Sequence, residues 1–320
     1  MLETLQSMDT VSLNFSQDSL LILNITIALI MFGVALGIKT DHFKRLLKNP
    51  KPVATGFISQ FLLLPAVTFL ITIILRNVIT PTMALGMILV AACPGGNISN
   101  FMSSLSKGNA ALSVSLTAIA TISAIVMTPL NFALWGGWFM DIYENINPGL
   151  LPKLKIPPLE VFKTVLIIIG IPLILGMYVN ARFPKLTAVI AKPLKIFSIV
   201  AFLGMVAIAF RSNYDFFLQF IKYIFLLVLV HNLIAFATGF SFASVMKVSP
   251  YDRRAITIET GIQNSALGLA LLFNPRIFPP ELAIGGMTVI VAWWGVWHII
   301  SGLTTAAIWS SIPLKGGKVQ

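Results

Sequence analysis

CPGGNISN, residues 93–100, interrupts an otherwise apolar run that extends from Thr82 to Leu105. A helix rising about 1.5 Å per residue needs around 20 apolar residues to cross a hydrocarbon core of about 30 Å, and this run is long enough. Its middle, however, holds Pro94, two glycines and the polar side chains of Asn97, Ser99 and Asn100. A helix facing lipid does not tolerate that. Irregular backbone at such depth persists only where protein or a water-filled cavity satisfies its amide and carbonyl groups. A second interruption, ETGIQNS at residues 259–265, breaks the run from Ala255 to Phe273 and adds an ionisable group, Glu259. Burying a carboxylate is expensive, so an intramembrane glutamate marks an ion, proton or substrate path by default.

Around these two interruptions the chain reads as an all-α polytopic membrane protein of about nine transmembrane helices. The runs are Leu20 to Ile38, Val53 to Leu75, Thr82 to Leu105, Ala110 to Trp135, Val161 to Val179, Ile196 to Phe210, Tyr223 to Met246, Ala255 to Phe273 and Leu282 to Ile312. Composition agrees: 57% of the 320 residues are hydrophobic and 10% charged, where a soluble domain carries roughly a quarter charged residues. A net charge of +11 would point to nucleic acid on a soluble chain. Here it has a simpler origin. When the loops are sorted alternately, 15 of the 22 Lys and Arg residues fall on one side, which the positive-inside rule makes cytoplasmic. The N-terminus is then outside and the C-terminus inside a plasma or bacterial inner membrane. Ten of the eleven acids lie in loops, and the eleventh is Glu259. Met1 to Asp18 carries acids but no Lys or Arg, so it lacks the basic start of a signal peptide and reads as a translocated tail. Asn14 and Ser16 there fit a glycosylation sequon. A single cysteine excludes an internal disulfide framework and a Cys-cluster metal site.

The two halves of the chain are comparable. Gln60 precedes Pro94 by 34 residues and His231 precedes Gly261 by 30, and each broken run is followed by a long one. The interrupted runs cross in opposite directions, so the repeat is inverted, the arrangement in which two discontinuous helices meet at the midplane of a secondary transporter. Hydroxyl, amide and carboxylate oxygens, with carbonyls freed at a break, suit a hard monovalent cation. Ser99 and Asn100 follow the first break; Ser113 with Thr117, and Glu259 with Gln263, stand at i and i+4 on one helical face. Helix N-termini after each break present amides that suit an anion. Taken alone, Ser113 and Thr117 also fit side chains bonded back to their own helix, and Trp293, Trp294 and Trp297 fit packing or interfacial anchors.

These motifs resemble the bile acid:sodium symporter family. The resemblance rests on CPGGNISN, ETGIQNS, SQFLLLP around Gln60, KGNAALSVSLT through Ser113 and Thr117, LVHNLIAF around His231 and VWHIISG around His298, and it spans Ile30 to Ile312. It implies a core domain with two crossed discontinuous helices (residues 53–135 and 223–312) and a panel domain (20–38 and 160–210). Together they make a transporter domain over 20–312, between an outer tail (1–19) and a cytoplasmic tail (313–320). It implies one sodium site from Ser99, Asn100, Ser113, Thr117 and Glu259, and a second from Gln60, Glu259 and Gln263 with the carbonyls of Thr260 and Ile262. It further implies that Asn97, Asn264 and His298 face the substrate. Many bacterial members have ten helices, and this chain resembles the nine-helix animal members. Ile299 stands where the bacterial pattern has Asn after the histidine, which shifts the expected substrate from a bile acid toward a smaller carboxylate.

The expected activity is therefore sodium-coupled symport of an organic anion by alternating access, without a cofactor and without nucleic acid. A rival reading is a proton-coupled or metalloid exporter in which Cys93 is the substrate ligand. An intramembrane enzyme would need a nucleophile with a base in reach; the sequence offers no second carboxylate in a span and no paired histidine motif. A passive channel fits two inverted breaks less well than a gated site does.

Overall fold

The computed structural model describes residues 17–38, 49–96, 98–146, 156–212, 214–279 and 282–314. The expected outer tail with its Asn14 sequon, the basic segment from Lys39 to Lys48, Asn97, Glu281 and the end from Lys315 lie outside the described residues. Eleven helical segments follow one another, and no strand occurs among the described residues. They are α1 (Gln17–Ala35), α2 (Pro50–Ile74), α3 (Pro81–Ala92), α4 (Ser99–Leu105), α5 (Ala110–Ile146), α6 (Pro158–Arg182), α7 (Pro184–Ser212), α8 (Tyr214–Val245), α9 (Pro250–Gly261), α10 (Ser265–Leu272) and α11 (Gly285–Ser311). Helix α2, α5, α6, the Phe220–Val245 part of α8, and α11 are each long and apolar enough to cross a membrane.

The four short helices are the two interrupted runs. Each interrupted run starts the same way. Thr80 accepts a hydrogen bond from the Met83 amide and is followed by Pro81; Ser249 accepts from the Asp252 amide and is followed by Pro250. A hydroxyl cap with proline in the first helical position satisfies one amide and removes another that would have no partner. Helix α3 ends at Ala92, short of Pro94, and α9 ends at Gly261. At 12 residues, each spans only about 18 Å, too little to cross alone. Every residue from Thr82 to Ala92 and from Ser265 to Leu272 is buried. Helices α3 and α10 and the breaks beside them thus lie inside protein, as unsatisfied backbone requires, whereas α4 turns Phe101 and Leu105 outward. Helices α2, α5, α8 and α11 shield them, and their outer faces carry exposed apolar side chains such as Leu70, Leu130, Leu233 and Ile300. Helix α3 packs closely on α11, where a Cβ at Gly86 would come within 2.9 Å of the Met287 backbone.

Helices α1, α6 and α7 pack on one another, and meet the rest chiefly where α6 lies against α5, with smaller contacts of α1 and α6 on α10 and of α7 on α8 and α11. Several helices run beyond their apolar stretches, among them α8, which begins at Tyr214 rather than Tyr223. Helix α5 continues past Trp135 to Ile146, and α7 begins at Pro184, well before Ile196. Backbone hydrogen bonding is indifferent to side-chain polarity, and Lys185 and Lys192 simply point outward from α7. At one end of the molecule, the α4–α5 and α8–α9 connections turn on Lys107 and Lys247, whose φ angles are 56° and 52°. The amides of Gly108 and Val248 reach back to the carbonyls of Ser103 and Ala243, closing both helices with the same left-handed cap.

Candidate functional site

The two breaks meet. Gly95 and Gln263 form an isolated antiparallel bridge, in which the Gly96 amide donates to the Ile262 carbonyl at 2.7 Å and the Asn264 amide to the Pro94 carbonyl at 2.8 Å. Backbone released from one helix is thus satisfied by backbone released from the other. Amide side chains from the preceding long helices complete the accounting. Gln60 of α2 donates to the Cys93 carbonyl at 2.9 Å, and Asn232 of α8 donates to the Gly261 carbonyl at 2.7 Å. The counterpart of Gln60 in the second half is therefore Asn232, one residue on from His231. His231 turns instead to Thr68, with Nε2 2.9 Å from Oγ1, and packs edge-on against Trp294.

Glu259 projects from α9 into a nest of hydroxyls. Ser99 of α4 donates to Oε2 at 2.5 Å, Thr117 of α5 to Oε1 at 2.8 Å, and Ser113 of α5 lies 3.4 Å from Oε2. Asn100 joins through its side-chain oxygen, 3.1 Å from the Thr117 hydroxyl. Ser99, Asn100, Ser113, Thr117 and Glu259 are thereby brought together from three helices, and all but the half-buried Asn100 are buried. Burying a carboxylate among neutral hydroxyls leaves its charge without a formal partner, which is costly. Each hydroxyl that donates its hydrogen still has two lone pairs for a cation, and the amide oxygen has its own. The donor set is all oxygen, the preference of a hard cation.

The second expected set is arranged differently. Gln60 and Gln263 face each other as a reciprocal amide pair, at 2.8 and 3.3 Å, and the Gln263 amide also donates to the Thr260 carbonyl at 2.7 Å. The Thr260 hydroxyl lies 3.0 Å from that of Ser59. The Ile262 carbonyl takes the Gly96 amide. Gln60, Thr260 and Gln263 are thus in contact, whereas the Glu259 carboxylate is turned to the hydroxyl nest. Of the residues expected to face substrate, Asn264 caps α10 by accepting from the Leu267 amide at 3.1 Å, and His298 places Nδ1 3.5 Å from the Ser265 hydroxyl. Asn97 lies outside the described residues.

The structure also buries two charged residues that the sequence places in a loop. Asp252 accepts from Ser249 and from Asn109 at 2.7 Å. Arg254 donates to the carbonyls of Ser106 at 2.6 Å and Ile312 at 2.8 Å, tying the ends of α4 and α11 to α9. Their charge sorts them with loops on paper; helix α9 carries them inward because it starts at Pro250.

A profile described as the Sodium Bile acid symporter family matches residues 24–220. The chain belongs to that family. The matched stretch contains Gln60, the CPGGNISN break, Ser113 and Thr117, while Glu259 lies beyond it. Over 291 residues the chain is 35% identical to an uncharacterized sodium-dependent transporter, YocS, of Bacillus subtilis, covering 90% of this chain and 83% of that one. It is 32% identical to a probable chloroplastic sodium/metabolite cotransporter of rice, over 82% of this chain and 62% of that one. A sodium-dependent organic anion transporter of the mouse is 30% identical, over 90% of this chain and 72% of its own length. Family membership and the long apolar helices make this a multi-pass membrane protein, and both family and relatives point to a transporter rather than an enzyme.

Proposed function

We propose that this protein is a sodium-coupled symporter that carries an organic anion across a cell membrane by alternating access. The observation that carries the reading is the hydroxyl and amide nest around Glu259, built from α4, α5 and α9 beside the point where two interrupted helices cross. An oxygen-lined carboxylate at a crossing of discontinuous helices suits a coupling cation. Family and relatives named for sodium support that choice of ion. Ser99, Asn100, Ser113, Thr117 and Glu259 hold the first sodium; Gln60, Gln263 and the Thr260 and Ile262 carbonyls, with Glu259, take a second once the Gln60–Gln263 amides turn their oxygens inward.

Counting each interrupted pair as one crossing gives nine, with the positive-inside loops setting the N-terminus out and the C-terminus in. Cation binding fixes the crossing, so that the anion docks near Asn97, Asn264 and His298. Helices α1, α6 and α7 act as the panel that rocks against the remaining core. The substrate is a bile acid or a smaller carboxylate. The test is uptake into proteoliposomes under a sodium gradient: Glu259→Gln abolishes sodium-stimulated uptake of any carboxylate the wild type carries, and wild-type rates in that variant would refute the site. The exporter reading centred on Cys93 has less to stand on, because the chain has one cysteine and, among the described residues, no group of three His, Cys, Asp or Glu side chains could hold a metal ion.

A further inference from the structure

Helix α2 does not reach Gln60 as a regular helix. From Ser59 to Leu63 it widens to a π-turn, in which the Leu64 amide bonds to the Ser59 carbonyl five residues back. The cause is two residues further on. Pro65 has no N–H to give the carbonyl four residues back, that of Phe61, and its ring crowds that carbonyl. The same offset recurs in α6, where the π-turn from Leu166 to Gly170 precedes Pro172. In α2 a side chain from another helix meets the carbonyl that proline leaves without its helical donor. Asn131 of α5, buried, donates from Nδ2 to the Phe61 oxygen at 3.0 Å. Its own oxygen accepts from the Trp135 indole at 3.1 Å, which fixes the amide with its NH2 toward the π-turn.

The geometry points to Asn131 as a positioning residue that sets Gln60 at the crossing of the broken helices. One extra residue in a turn rotates the two halves of a helix by about 100° relative to each other. The π-turn therefore decides whether Gln60 or a neighbour faces Cys93 and Gln263. The anchor stands on the rod that also carries Ser113 and Thr117, so α5 holds the register of both donor sets. Asn131 follows Thr117 by 14 residues, nearly four whole turns, and lies close to the same face.

This inference rests on the sodium-coupled reading, and the experiment separates the two. Equilibrium binding of radioactive sodium to the purified full chain is measured for wild type, Asn131→Leu, Trp135→Phe and Gln60→Ala, together with thermal unfolding in sodium-free buffer. If the wild type binds no sodium, the functional reading itself falls. Given wild-type binding, Asn131→Leu raises the half-saturating sodium concentration about tenfold, the equivalent of about 1.4 kcal/mol, and Trp135→Phe raises it about two- to threefold. Asn131→Gln, which retains the amide, recovers part of the loss. Because Asn131 acts through Gln60, the double variant Asn131→Leu/Gln60→Ala binds no more weakly than Gln60→Ala alone. A purely structural asparagine would lower the unfolding temperature and leave the sodium curve in place; that result, or additive effects in the double variant, overturns the inference. Should Asn131→Leu fail to fold, Trp135→Phe with Gln60→Ala decides the question by the same non-additivity.

Discussion

Gly95 lies where the first break passes close against Glu259. A Cβ there would strike the Glu259 carboxylate, touching Oε1 first, so the backbone bridge and the carboxylate occupy adjacent space only because the side chain is missing. Gly95→Ala is expected to push Glu259 away from Ser99 and Thr117 and to raise the sodium concentration for half-maximal uptake about tenfold, a shift of about 1.4 kcal/mol. An unchanged sodium curve in proteoliposomes would show that the carboxylate has room to spare. At this scale the sequence is informative where chemistry contrasts with its surroundings. Glu259, Ser99 and Thr117 stand out because polar groups in an apolar run need a reason. Asn232 and Asn131 do not stand out, since one asparagine in a long apolar helix looks the same whether it faces a neighbour's carbonyl or its own helix.

Among the elements, the short helices show how local signals and packing divide the work. The hydroxyl–proline starts at Thr80 and Ser249 and the break at Pro94 are written in the sequence. The start of α9 is equally written, yet Asp252 and Arg254 argue against it as long as charge is equated with loop. They go inward because Asn109 and the carbonyls of Ser106 and Ile312 receive them, partners 58 to 148 positions away along the chain. The left-handed caps at Lys107 and Lys247 offer a test of local strain. An L-residue in that conformation costs roughly 1–2 kcal/mol, and glycine recovers it less its own unfolded-state entropy of roughly 0.5–1 kcal/mol. Lys107→Gly and Lys247→Gly should each stabilise by about 0.5 kcal/mol, seen as a small rise in unfolding temperature in detergent, and a fall would mean that the lysine side chains contribute contacts of their own.

For the whole molecule, the consequential feature is that charge is confined. Two sodium ions with one monovalent anion would move one net positive charge inward per cycle. A charge crossing 100 mV gains about 2.3 kcal/mol, so an inside-negative potential of that size should raise the limiting accumulation of substrate by about 50-fold. Uptake that ignores an imposed potassium diffusion potential would reject that stoichiometry. The apolar runs, the unequal share of basic residues among the segments between them and the existence of two polar breaks are legible in the sequence alone, because lipid imposes length, hydropathy and backbone satisfaction on each segment separately. Which carbonyl meets which amide does not. The Gly95–Gln263 bridge, the turn of Gln60 toward Cys93 and the anchoring of Asn131 on Phe61 depend on helices packed from distant parts of the chain. The sequence determined that polar groups would have to find partners inside the membrane, and tertiary packing decided which partners they found.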